Sequence, residues 1–139
     1  MNYWLAKSEP SEYSYEDLKK AGRDVWDGIR NYRARNFMRE MKQNDRVLFY
    51  HTQKEKAVVG IARVVKTAYP DPKAAAGEDW SVVDLAPVKA LKRGVTLAEI
   101  KANKLFADSL LVRVPRLSVM PLTKAQFDWI VEKGSKAGS

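Results

Sequence analysis

Three β-rich runs follow one another through the middle of this chain, and they limit its fold more than any other feature. RVLFYHT (Arg46–Thr52) and AVVGIARVVKTAY (Ala57–Tyr69) are built largely of β-branched and aromatic side chains, which suit a pleated, half-buried surface. Gln53–Lys56 between them reads as a hairpin loop. A polar, proline-containing loop, Pro70–Gly77, leads to WSVVDLAPVKAL (Trp80–Leu91), a third strand in which Pro87 predicts an edge or a bulge. Regular βαβ winding does not fit this order.

Shorter signals surround the runs. NYWLA (Asn2–Ala6) reads as a first strand and RLSVM (Arg116–Met120) as a last one. Ser14 with Asp17 forms a capping box for a helix over Tyr15–Lys20, which Gly22 can end. Ala34, Phe37, Met38 and Met41 make one apolar stripe at helical spacing, with Asn31 as its N-cap. Thr96 with Glu99 predicts a short helix, and Thr123 with Gln126 a final one that ends near Gly134. Ser135–Ser139 should fray. The expectation is one α+β domain over residues 1–134, with a curved sheet or small barrel and short flanking helices. At 139 residues the chain can bury one sizeable core.

Composition narrows the chemistry. There is no cysteine, so disulfides, thiol nucleophiles and cysteine-bound metals are excluded. The single histidine, His51, cannot make a typical zinc site, and no phosphate-cradling glycine loop or nucleophile elbow occurs. No cofactor or metal is expected. A hydrolase using Lys7, Ser8 and a carboxylate is conceivable, but nothing local makes it specific. His51, inside a predicted strand, reads first as a satisfied structural residue. The start, MNYWLAKSEP, lacks the pattern of a signal peptide, and no apolar run is long enough to span a membrane. A soluble, cytoplasmic (in a eukaryote, nuclear) monomer is expected. The formal charge of +8 is spread along the chain. It suits a polyanionic partner such as nucleic acid, and equally a solvated basic surface.

One segment is unusually rich in recognition chemistry. WDGIRNYRARNFM (Trp26–Met38) places a tryptophan, an aspartate, a glycine, two asparagines, a tyrosine and three arginines at a predicted helix start. Trp26 offers a face on which a base can stack. Gly28 permits a close approach or positive φ. Asp27 and Asn31 can read base edges, and Arg30, Arg33 and Arg35 can meet phosphate. The competing reading makes Trp26 a core residue, Asp27 and Asn31 helix caps, and the arginines solvated.

These motifs carry a resemblance. YWLAKSEP (Tyr3–Pro10), WDGIRNYRARNFMREMK (Trp26–Lys42), DRVLFYHT (Asp45–Thr52), VVGIARVV (Val58–Val65), YPDP (Tyr69–Pro72), WSVVDL (Trp80–Leu85) and RLSVMP (Arg116–Pro121) are similar, in order and spacing, to the EVE-domain family. That family is PUA-like and related to YTH domains, which bind methylated adenine through an aromatic cage. The resemblance implies a curved sheet or pseudobarrel with a concave pocket for a modified base, such as methylated or oxidised cytosine, in DNA or RNA. It implies a noncatalytic reader. It also implies pocket roles for Lys7, Ser8, Trp26, Asp27, Gly28, Asn31, Tyr32, His51, Tyr69, Pro70 and Ser118, and backbone contacts for Arg30, Arg33, Arg35 and Arg116. The family's usual serine is Thr52 here, a common glycine is Asn44, and the usual glutamine is Arg33. The alternatives are a PUA-like hydrolase of modified nucleosides, using Lys7, Asp27 and His51, and a protein-interaction module.

Overall fold

The helix starts read from the sequence are closed by their own side chains. In the computed structural model, which describes residues 1–136, the Ser14 hydroxyl accepts the Asp17 N–H and the Asp17 carboxylate accepts the Ser14 N–H. The same reciprocal pair forms at Thr96 and Glu99 and at Thr123 and Gln126. Each satisfies donors that a helix start leaves unpaired. Gly22, at φ 74°, ends the first helix in the left-handed conformation.

In chain order the elements are β1 (Tyr3–Ser8), α1 (Tyr15–Ala21), β2 (Asp24–Trp26), α2 (Tyr32–Glu40), β3 (Arg46–His51), β4 (Ala57–Pro70), β5 (Ser81–Thr96), α3 (Leu97–Lys101), α4 (Leu110–Arg113), β6 (Val119–Leu122) and α5 (Lys124–Ser135). A 3-10 turn spans Lys104–Phe106. One mixed sheet of six strands runs β2-β5-β4-β3-β1-β6. Only β1 and β3 are parallel, and their register sets Lys7 beside Tyr50 and Ser8 beside His51.

The sheet curls because β4 and β5 do not stay in step. Their register breaks at four places, and β3–β4 breaks once between Phe49 and Tyr50. Each extra residue bends its strand and adds twist. Pro87 sits at one of these breaks, beyond the reach of β2, which pairs only with Val83–Leu85. A residue without an N–H is tolerated there. The curl stops short of closure, so the architecture is an open curved sheet and not a closed barrel.

Leu5, Leu48, Phe49, Leu85, Met38 and Ile130 are fully buried between sheet and helices. The buried carboxylate of Asp45 accepts from the Asn2 N–H, the Trp4 indole N–H and the Lys42 N–H. It thereby ties β1, the end of α2 and the start of β3 together.

Besides β1, which runs on to Ser8, four points differ from the sequence reading. Trp26, read from sequence only as part of the run at a helix start, is the last residue of β2. The third long strand continues past Leu91 to Thr96. The last strand begins at Val119 instead of Arg116. The 3-10 turn and α4 were not anticipated. All four concern segments of three or four residues or strand ends, which are too short to show a period. The last helix runs to Ser135, and the fraying expected at 137–139 lies outside the described residues.

Candidate functional site

The gap left by the incomplete curl is a cleft of about 650 Å³, within the range of small-ligand sites. β1 and β2 are four places apart in the sheet, yet both line it. Lys7 and Ser8 come from the carboxyl end of β1, Glu9, Glu12 and Tyr13 from the turn after it, and Trp26–Arg30 from β2 and the segment following. Lys73 reaches in from the β4–β5 loop and Ser118 from the approach to β6. A depression of about 710 Å³ near Tyr3, Trp4 and Lys42 is slightly larger, but none of the residues expected from sequence lines it.

Hydrogen bonds and rings hold the walls. The backbone N–H of Lys7 donates to the Ser118 carbonyl at 2.8 Å, which fixes β1 against the start of β6. The Ser8 hydroxyl donates to the Tyr13 carbonyl, and the Tyr13 hydroxyl donates to Asp24 at 2.6 Å. Trp26 meets Phe49 edge-on at 5.2 Å and Tyr13 at 6.3 Å. It is 9% exposed, so it belongs to the core and to the cleft wall together. Gly28 adopts φ 76°, a backbone state costly for other residues, and a side chain there would point into open space.

Charge in the cleft is mixed. Glu9, Glu12, Asp24 and Asp27 face Lys7, Arg30 and Lys73. Asp27 pairs with Lys73 at 3.0 Å, which raises the lysine's pKa through that contact. Arg30 donates to the buried Asp71 at 2.9 Å. Burial works against the Asp71 charge, but the Lys73 N–H and Arg30 outweigh it and hold its pKa below the ordinary carboxylate value. Burial lowers the pKa of Lys7, whose ammonium donates to the Pro115 carbonyl at 2.8 Å. Burial, then the bond to Asp24, pushes the Tyr13 hydroxyl pKa upward, so it remains a proton donor. No cluster suited to a metal ion occurs among the described residues.

The structure gathers seven of the residues singled out from sequence: Lys7, Ser8, Trp26, Asp27, Gly28, Arg30 and Ser118. The others are not among those lining the cleft. Asn31 is spent on capping α2, its side chain accepting the Ala34 N–H at 3.0 Å. Tyr32 stacks on Trp80 at 5.1 Å. His51 is buried, with Nε2 accepting the Tyr15 N–H at 3.1 Å and Nδ1 2.9 Å from Glu55. The Tyr69 hydroxyl donates to Asp84 at 2.5 Å, and that bond raises its pKa to about 12. Pro70 is exposed at the end of β4. Arg33 and Arg116 are exposed, and Arg35 donates to the Asp79 carbonyl at 3.0 Å. Sequence reasoning missed Glu9, Glu12, Tyr13, Asp24 and Lys73. The one available signal was that Glu9 lies within KSEP and the others lie near KSEP, Trp26 or YPDP.

Comparison with known proteins identifies the family and the fold. The family model for the EVE domain matches residues 2–133. Mouse thymocyte nuclear protein 1 is 40% identical, over 94% of this chain and 72% of its own length. A crystal structure of a protein from Agrobacterium tumefaciens superposes with TM-score 0.93 at 39% identity, covering 100% of this chain and 97% of that one. The human THYN1 protein, crystallised in complex with DNA containing 5-methylcytosine, superposes with TM-score 0.89 at 34% identity, covering 99% of this chain and 100% of that one. The fold is PUA-like, and the chain belongs to the EVE-domain family.

Proposed function

We propose that this protein is a noncatalytic reader of nucleic acid that holds one modified base in the cleft between β1 and β2. The observation that carries the reading is the cleft itself: a concave site of base-accommodating size, lined by Lys7, Ser8, Trp26, Asp27, Gly28, Arg30 and Ser118. The relative bound to 5-methylcytosine DNA supports the choice of ligand.

A duplex base cannot reach such a cleft while stacked, so the target is flipped out or single-stranded. Trp26 shows little of its surface, so it serves as one wall and not as a two-sided cage. Polar groups then carry more of the selection. Carboxylates such as Asp27 accept from an exocyclic amino group, which cytosine and adenine have and thymine and uracil lack. Phosphate contact falls to Arg30 at the cleft and to the exposed Arg33 and Arg116. The first turn of α2 carries Arg33 and no acidic residue. Acidic groups would stabilise that end of a helix, so the sequence leaves its positive field open to an anion.

The test is a binding screen of modified and unmodified deoxy- and ribo-oligonucleotides at fixed salt, with Asp27→Ala beside the wild type. Selective binding of a modified oligonucleotide, weakened by Asp27→Ala, supports the reading. Equal binding of all probes by both proteins overturns it. So does conversion of a modified nucleoside to product seen by mass spectrometry, which would favour a hydrolase.

A further inference from the structure

Tyr32 is one of the few large hydrophobic residues left in the open, 66% exposed. Its ring lies on that of Trp80 with centroids 5.1 Å apart and planes 21° from parallel. Trp80 is buried and anchored, its indole N–H donating to Glu78 at 3.1 Å. The Arg35 guanidinium is 4.9 Å from the Tyr32 ring and 5.8 Å from the Trp80 ring. It therefore sits at the flank of the stack, since on the far side of Tyr32 it would be nearly twice as far from Trp80. The outer face of Tyr32 is left open. Arg30 links this stack to the cleft: it lines the cleft, and its guanidinium lies 5.4 Å from the Trp80 ring.

We propose that Tyr32, backed by Trp80, is a stacking platform for a nucleobase neighbouring the one held in the cleft. This rests on the nucleic-acid reading above and adds a second contact to it. Stacking on an aromatic ring is tolerant of sequence because every base has a π-face. Such a platform would grip the strand beside the read base without adding to base selection. The surroundings suit a polyanionic strand better than a protein segment. Arg33, the residue after Tyr32, is exposed and forms no ion pair among the described residues, and Arg30 and Arg35 flank the rings, each offset by one carboxylate, Asp71 and Asp79. The Trp80 ring and the Arg35 guanidinium also hold Tyr32 in place before binding, so less rotamer entropy remains to be lost.

The experiment compares two probes at one salt concentration: 5-methyl-2′-deoxycytidine monophosphate, and a single-stranded nine-nucleotide DNA with one central 5-methylcytosine. The proteins are wild type, Tyr32→Ala, Tyr32→Phe and the cleft variant Asp27→Ala. Tyr32→Ala should weaken binding of the nine-mer roughly tenfold and leave mononucleotide binding unchanged. Tyr32→Phe should bind as wild type, because the ring remains. Asp27→Ala should weaken both probes. If Tyr32→Ala binds the nine-mer as wild type does while Asp27→Ala fails, the platform is overturned and the cleft reading stands. If Tyr32→Ala weakens both probes equally, Tyr32 acts on the cleft and the platform is again overturned. If wild type binds neither probe, or neither variant matters, both readings fall. Thermal melting of Tyr32→Ala should match wild type, because the side chain is mostly exposed.

Discussion

The Nε2 atom of His51 accepts the backbone N–H of Tyr15 at 3.1 Å, across 36 residues of sequence. Tyr15 is the first residue of α1, so this is one of the donors that a helix start leaves unpaired. The acceptor role places the ring proton on Nδ1, where it meets Glu55 at 2.9 Å. A strand histidine thus caps a helix from outside it, and that helix carries the turn holding Tyr13 in the cleft wall. His51→Ala should cost about 2–4 kcal/mol, from the stranded buried donor and the lost ring. Urea unfolding measures it. Binding by the folded variant should stay within about twofold of wild type. A large binding loss at unchanged stability would instead give His51 a direct part in the site.

Trp26 and Asp27 are neighbours in sequence with different jobs. Trp26 packs on Phe49 and is buried, whereas the Asp27 carboxylate is 31% exposed and pairs with a surface lysine. Trp26→Ala should destabilise by about 3–5 kcal/mol, as other large buried aromatics do. Asp27→Ala should stay within about 0.5 kcal/mol of wild type and lose most of its preference for an amino-bearing base over thymine. Denaturation curves and oligonucleotide binding on the same samples separate the two effects. Equal stability losses would mean that the packing around Trp26 does not hold it.

Local signals were legible and long-range ones were not. A capping box spans three residues and an apolar stripe two turns, so α1, α2, α3 and α5 could be read directly. β2 has three residues, one of them about a third exposed, and shows no period. Its place at the cleft depends on several bulges in β4 and β5, of which Pro87 announces one. The motif residues Trp26–Gly28 reach the cleft because they end β2 and begin the irregular segment that follows it. Asn31 and Tyr32 do not, because the helix starts: its first turn consumes the asparagine as a cap and turns the tyrosine towards Trp80. His51 ends a strand beside the cleft residue Ser8, yet its ring bonds to α1. Closeness in sequence or on the sheet did not specify which way a side chain points.

Gly60 is a glycine because Tyr15 lies on it. A Cβ built at Gly60 would overlap the Tyr15 ring, and that ring is pinned by its hydroxyl, which donates to the Ile61 carbonyl at 2.7 Å. Neither ring nor strand can yield cheaply. Gly60→Ala should therefore cost about 1–3 kcal/mol through overpacking, read from the urea midpoint. Adding Tyr15→Leu should not destabilise the Gly60→Ala protein as much as it destabilises wild type. Strict additivity of the two substitutions would show that the contact does not matter.

Glu99 is the carboxylate best placed to tie stability to acid. Arg93 donates to it at 2.9 and 2.6 Å, and it closes the capping box of α3 with Thr96. The bond from Arg93, followed by those from Thr96, outweighs burial and holds its pKa down at about 2. An unfolded glutamate titrates near 4.3. Because the folded value is the lower one, the unfolded chain binds the proton first. The stabilisation is complete above pH of roughly 5 and drains away as the pH falls towards 2. Solvent reaches the pair, with side chains 30% and 28% exposed, so screening reduces the contribution to about 1 kcal/mol. Glu99→Gln should be less stable than wild type at pH 7 by that amount, and the difference should shrink as the pH drops to about 3. Urea midpoints for both proteins at several pH values check it. A gap that stays constant with pH would show that the glutamate charge contributes nothing and that only the shape of the cap matters.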